Sequence, residues 1–211
     1  FDYRILEHAI LPQLGHRAQY KSIDKLLEVP THFHHRFAQW NQLALMKSPA
    51  VIRELREYLR YAIEKEGLAK FITLIENDLG YPLYKAVADV KAGLSHDSQA
   101  TLAFRASGLG YDLALDATIK RSDFNLWIAD DLQKLEDAVD EARGEAGLGA
   151  SEIGRGFLTG GTSFVPAVRA IFDQRFGVAK IETGDQLESI AYGLALIANS
   201  ADPSAWAAAQ G

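Results

Sequence analysis

The sequence predicts a mixed α/β fold: strands with packed helices in one part, and a mostly helical part bearing a β-hairpin in the other. Three observations predict it. Apolar residues recur at helical spacing through most of residues 2–95. The period changes to two between Thr101 and Thr118. The stretch from Gly156 to Arg169 then reads as strand, glycine turn and helix start.

In chain order, Ile5, Leu6, Ala9 and Ile10 mark a first helix, ended by Pro12 or Gly15. Residues 16–30 are polar and mixed, predicting a short helix and a loop up to Pro30. Phe33, Phe37, Trp40, Leu43 and Ala44 form a helical stripe, with Thr31 as its expected N-cap. Ser48-Pro49 is cap followed by first-turn proline, opening a helix with Val51, Ile52, Leu55, Tyr58, Leu59, Ala62 and Ile63 inward and Gly67 as its stop. A helix from Leu68 to Leu79 follows, then another from Pro82 to about Ser95. Thr101–Ala106 and Tyr111–Thr118 alternate around Ser107-Gly108-Leu109-Gly110, predicting a hairpin. Ser122 is expected to cap one long helix with the stripe Phe124, Trp127, Ile128, Leu132, Leu135, Val139, Ala142. Phe157-Leu158 predicts a buried strand, and Val165, Val168, Ile171, Phe172 and Phe176 one face of a helix stopped by Gly177. Val178–Ile181 reads as a short strand. Leu187, Ile190, Ala191, Leu194, Ile197 and Ala198 form a last helix with Thr183 or Asp185 as cap, and the tail from Pro203 has no clear period.

The 211 residues suffice for one large domain or two small ones. The composition, 48% hydrophobic and 24% charged, is that of a globular chain and excludes disorder. The absence of cysteine excludes disulfides, thiolate metal sites and cysteine nucleophiles, and agrees with a reducing cytoplasm. No apolar run reaches the roughly 20 residues of a membrane span, and the opening residues do not read as a signal peptide. The opening Phe1-Asp2-Tyr3-Arg4 begins mid-pattern, like an excised piece of a longer protein. Charge is uneven: residues 1–121 hold 16 Lys/Arg against 14 Asp/Glu, and residues 122–211 hold 6 against 14. That step predicts two units, an upper helical one over 1–121 and a lower α/β one over 122–211. Neither has a basic stripe, so nucleic acid is not an expected partner.

Several constellations could carry chemistry. Gly160 and Gly161 lie between a strand and a helix N-terminus, where free N–H groups and the helix dipole suit a phosphate. Locally, an ordinary tight connection fits them as well. His32, His34 and His35 open the helix capped by Thr31, with His32 and His35 on one face, but no third ligand is placed to complete a metal shell, so a solvated or partly packed helix start is the simpler reading. The acids from Asp130 to Glu141 read as a solvated helix face. Lys91 and Ser95, four apart, flank the apolar stripe of their helix. There is no nucleophile elbow and no Walker loop.

Four stretches together resemble the later half of the nucleotide-binding domain of DnaK-type heat-shock chaperones, the heat shock protein 70 family of the actin-like ATPase superfamily. They are most similar to divergent bacterial YegD-type members. Phe1–His8 resembles the end of the segment Gly-Gly-x-Asp-Phe-Asp-x-Arg-Leu-x-x-His. Ala88–Ser95 resembles the helix Glu-x-x-Lys-Arg-x-Leu-Ser. Phe157–Ser163 resembles the second nucleotide loop, and Glu188–Ala195 the closing Glu-Ala-Val-Ala-x-Gly-Ala-Ala helix. Residues about 20–80 are longer and more helical than in standard DnaK.

The resemblance implies a ribonuclease H-like, actin-like ATPase lobe of a cytoplasmic, stress-responsive chaperone that binds ATP or ADP, with magnesium in the intact protein. Lys91 and Ser95 would contact the ribose and adenine side, and Gly160, Gly161 and Thr162 the phosphates and ribose. An exchange factor or other protein would meet the upper subdomain. Four positions depart from the pattern: Ala88 replaces a Glu, Ala92 and Phe164 replace two base-sandwiching Arg, and Leu187 replaces an Asp. Each lost guanidinium removes stacking of about 0.5–2 kcal/mol, and Phe164 offers an aromatic face instead. The family's first phosphate loop, catalytic Lys, magnesium-positioning carboxylates and second phosphate loop all precede the part matched here. These residues alone are therefore expected not to hydrolyse ATP and to bind it weakly, forming one wall of a cleft. A second reading is a degenerate member serving as an interaction scaffold without turnover. A sugar kinase or reactivase of the same superfamily fits the Phe1–His8 segment less well.

Overall fold

A computed structural model describes residues 1–183 and 189–199, without the side chains of Trp40, Thr183, Ser189 and Ile190. The expected capping side chain of Thr183, Asp185, Leu187, the side chain of Trp40 and the tail from Pro203 therefore lie outside what is described. The chain forms two compact units, Phe1–Asp130 and Asp131–Gly211.

The first unit opens with α1 (Asp2–Ile5), which widens into a π turn (Leu6–Ile10) and tightens into a 3₁₀ turn (Leu11–Leu14). Gly15, at φ 74°, ends it in the left-handed region that glycine adopts freely. Ile5, Leu6 and Ile10 are fully buried, as their spacing predicts, and so are Leu11 and Leu14 of the 3₁₀ turn. Residues 16–30 are not a short helix. They form a hairpin, β1 (Gln19–Ser22) and β2 (Lys25–Glu28), paired Tyr20 to Leu27 and Ser22 to Lys25. Two tertiary contacts hold it: Ile63 N–H donates to the Gln19 carbonyl at 2.9 Å, and the Tyr20 ring meets Tyr58 edge-on.

Next come α2 (His32–Phe37), α3 (Leu43–Met46) and α4 (Pro49–Tyr61). Ser48 caps α4, its Oγ accepting from Val51 N–H at 3.3 Å ahead of Pro49. Thr31 makes no such bond. Gly67 does not stop α4, which ends at Tyr61. It lies instead in the first turn of α5 (Glu66–Glu76), packed against Gly15 backbone to backbone. A Cβ on Gly67 would fall 2.5 Å from Gly15 N, a distance no side chain tolerates. Helix α6 (Gly80–His96) buries Leu83, Val87, Val90 and Leu94.

Strands β3 (Gln99–Gly108) and β4 (Tyr111–Lys120) form the expected hairpin, two residues longer at each outer end. Leu102 and Phe104 face Leu113 and Leu115 on its buried side, against α6, while Arg105 and Asp116 pair on the outer side at 2.7 Å. The single long helix expected from Ser122 is instead two, α7 (Arg121–Trp127) and α8 (Ala129–Glu145). The break comes at Ile128, which buries with Phe124 in the first unit, so α7 completes that core. Ser122 is not the cap. Its hydroxyl donates to Asp123 at 3.2 Å.

In the second unit, β5 (Gly156–Leu158) and β6 (Ile181–Thr183) pair in parallel, and α9 (Pro166–Phe176) packs on them through Val168 and Ile171. Residues 178–180 are a 3₁₀ turn, so the predicted strand begins only at Ile181. A Cβ on Gly156 would sit 2.9 Å from Ile181 Cδ1, so the tip of that side chain packs where the glycine leaves room. Arg175 donates to Glu136 and Asp140 at 3.0 Å, joining α9 to α8. Helix α10 (Ser189–Ala198) is the last described element. Among the described residues no helix is long and apolar enough to cross a membrane.

Candidate functional site

Lys91 and Ser95 stand on one partly buried face of α6, together with Ala88 and Tyr84. Helical spacing puts them there, and the buried Val87, Val90 and Leu94 fix the rotation of the helix. The C-terminal end of α6 is held by Arg121, whose Nε donates to the Leu94 carbonyl at 2.7 Å. Lys91 is not a free surface cation. Its Nζ lies 2.8 Å from Asp2 Oδ1, and its side chain is only 13% exposed. Ser95 Oγ donates to the Lys91 carbonyl at 3.3 Å, which spends its proton along the helix and leaves its lone pairs outward. Ala92 is exposed.

Tyr84, one turn below Ala88, donates to the Phe37 carbonyl at 3.2 Å. Burial raises its pKa, and the negative charge of Asp2 raises it further. Asp2 is thus a member of this face that sequence reasoning missed. It lies far from Lys91 along the chain, and no local pattern signals the pair.

The glycine stretch is built in the second unit. Gly160 has φ 84° and ψ 158°, a region essentially reserved for glycine. Nothing lies within 4 Å of where its Cβ would be, so the demand is conformational and the space beside it is open. A 3₁₀ turn, Gly161–Phe164, follows directly. Its first intrahelical bond is Ser163 N–H to the Gly160 carbonyl at 3.1 Å, so the N–H groups of Gly161 and Thr162 precede any intrahelical acceptor. The buried Ser163 hydroxyl donates to the same carbonyl at 2.6 Å and pins the loop. Helix α9 then starts at Pro166 with no side-chain cap. Thr162 is exposed and Phe164 40% exposed. Ser163 is a second missed residue. The Gly-x-x-Ser spacing of a local hydroxyl-to-backbone turn was its available signal.

The histidines form a partly packed helix start at the beginning of α2. His34 is the buried one: Nε2–H donates to the Leu14 carbonyl at 2.9 Å, the ring stacks on Phe71 at 4.3 Å, and Nδ1 has no partner. Burial depresses its pKa to about 4. His35 Nδ1 lies 3.0 Å from the Tyr3 hydroxyl, and His32 is exposed. Among the described residues no group of three or more His, Asp or Glu side chains could hold a metal ion.

These elements define a mixed α/β lobe of the actin-like ATPase kind. The family model described as Hsp70 protein matches residues 53–206, and the chain belongs to the Hsp70 family. The match includes Lys91, Ser95 and the glycine loop, and leaves Phe1–His8 outside it. Among curated proteins, the chain is 33% identical over 82 residues to the chaperone protein DnaK of Deinococcus deserti, covering 39% of this chain. It is 31% identical over 84 residues, 40% of its length, to the chaperone protein DnaK of Deinococcus proteolyticus. The aligned stretch spans 13% of each of these relatives.

Proposed function

We infer that this chain is subdomain II of the nucleotide-binding domain of a YegD-type Hsp70 protein, one wall of a cleft for ATP or ADP. The unit Phe1–Asp130 is its upper subdomain and Asp131–Gly211 its lower, the division falling just after α7. The single observation carrying the reading is Gly160, a glycine-only conformation with open space beside it, followed by two N–H groups that precede any intrahelical acceptor. Gly160, Gly161 and Thr162 approach the phosphates and ribose, as backbone donors at a glycine turn do. Lys91 and Ser95 serve the ribose and adenine side. Magnesium would be held by residues of the other wall in the intact protein. The family likeness further supports a cytoplasmic setting and an exchange factor on the upper subdomain.

The test is an ADP titration of the full-length protein. Gly160→Val, which forces a β-branched residue into that backbone, and Lys91→Ala should each weaken binding about tenfold, the loss of one charge-assisted or backbone contact. Wild-type affinity in both variants would overturn the reading. A second reading, a scaffold without turnover, is favoured by Ala92 and Phe164, which leave the base without the two guanidinium planes of the family pattern. ADP binding with no phosphate release from ATP would select it.

A further inference from the structure

We propose that Tyr20, Tyr58 and Tyr61 wall a binding site for a quaternary ammonium cation, with Glu57 as its counter-charge. The site is a cavity of about 370 Å³ where β1 meets α4, bordered by the three tyrosines, Glu57 and Ile23. None of these residues serves the nucleotide. The walls come from two elements. Tyr58 and Tyr61, three apart, share one face of α4. Alternation along β1 turns Tyr20 and Ser22 to the covered side of the strand and the Lys21 side chain to the exposed side, although Lys21 also borders the cavity. An antiparallel bridge between Tyr20 and Ala62, with the Ile63 N–H donated to the Gln19 carbonyl at 2.9 Å, clamps the strand to the end of α4. The Tyr58 ring is held by three contacts: Phe33 meets it edge-on at 6.1 Å, Tyr20 does so at 5.0 Å, and its hydroxyl donates to Glu54 at 3.2 Å.

Tyr20 and Tyr58 stand at 61° to one another and so form a corner, not a stack. Tyr61 is 55% exposed, with the Arg60 guanidinium 5.9 Å from its ring centroid. That ring already takes a cation on one face, and it has two. The negative face of an aromatic ring attracts positive charge, and a methylated ammonium suits a corner of rings better than a primary one. It has no N–H to satisfy, and its methyl groups pack on the ring faces. The Tyr58 proton is committed to Glu54, so this ring offers its face and not a donor. Glu57 joins no ion pair among the described residues and supplies the opposite charge. Ile23 stands at the mouth with φ 28° and is 91% exposed. A β-branched residue there is strained, and strain of this kind persists where a ligand site uses the shape it sets. Its side chain presents apolar surface to the methyl groups of the bound cation.

The test is calorimetric titration of the full-length protein with choline and with its neutral isostere 3,3-dimethylbutan-1-ol. The variants are Tyr61→Ala, Tyr61→Phe and Glu57→Gln, each checked for an unchanged thermal melt. Tyr61 and Glu57 are exposed, so these changes leave the core intact. Choline should bind at about millimolar concentration, and the isostere about tenfold more weakly. Tyr61→Ala should weaken choline about fivefold, while Tyr61→Phe, which keeps the ring face, stays within about twofold of wild type. Glu57→Gln should weaken choline about threefold and leave the isostere unchanged. A peptide carrying trimethyl-lysine is the parallel arm: tighter binding than choline assigns the cation to a protein side chain, and equal or weaker binding to a free solute. Equal affinity for choline and the isostere would overturn the proposal, since the cavity would then be a plain apolar groove. So would choline binding that Tyr61→Ala leaves unchanged, or no binding of choline up to about 50 mM.

Discussion

Replacing His34 by Phe should flatten the acid side of the stability curve. In the fold, the neutral ring donates Nε2–H to the Leu14 carbonyl and stacks on Phe71, and its pKa is held near 4 by burial, against 6.5 for the free side chain. The unfolded chain therefore binds a proton that the folded chain refuses, and stability falls as pH drops from 6.5 towards 4. At 1.36 kcal/mol per unit, the whole window is worth about 3 kcal/mol, of which about 2 kcal/mol is lost between pH 7 and pH 5. His34→Phe keeps a stacked ring but leaves the Leu14 carbonyl without its donor, costing about 1–3 kcal/mol at pH 7. Urea titrations followed by circular dichroism at both pH values separate the two effects. The variant should start less stable and lose about 2 kcal/mol less than wild type on acidification. Equal losses in both proteins would show that His34 does not control this window.

Further outcomes are expected. Gly67→Ala places a methyl 2.5 Å from the Gly15 nitrogen, so the backbones must part. Thermal melts should show a loss of more than about 2 kcal/mol, and a neutral change would refute the crossing as a constraint. Ser48→Ala removes the cap of α4 and should cost about 1 kcal/mol in the same assay, with Ser48→Asp restoring most of it. Calorimetry of ATP against residues 1–211 alone should show no binding tighter than the micromolar range; sub-micromolar affinity would mean that one wall suffices.

The hairpin β3–β4 was readable from sequence because its buried side chains, Leu102, Phe104, Leu113, Leu115 and Ile119, fall on one face at period two. So were the α4 cap and the strand–glycine–helix turn, each fixed by neighbours within a few residues. The β1–β2 hairpin was not. All four residues of β2 are exposed, and its turn places Ile23 at φ 28°, a conformation no composition rule assigns to isoleucine. Its pairing depends on contacts with Tyr58 and Ile63. The break at Ile128 has no glycine or proline to announce it, and is set by which core that side chain enters. His34 and Asp2 were likewise hidden, because their partners, Leu14 and Lys91, are assigned only by the fold.

The meeting of Gly15 and Gly67 also bears on how much this chain can change. Residues 16–66 leave and return at a single point where two backbones touch, so they form an excursion closed at its neck. The frame on either side, the opening turns and α5, keeps its relation through that neck and not through the path between. Added or lost residues at the tip of β1–β2 would thus leave α5 and α6 in register. The part of the excursion that cannot vary is its floor, where Phe33, His34 and Phe37 cover Leu14 and Phe71.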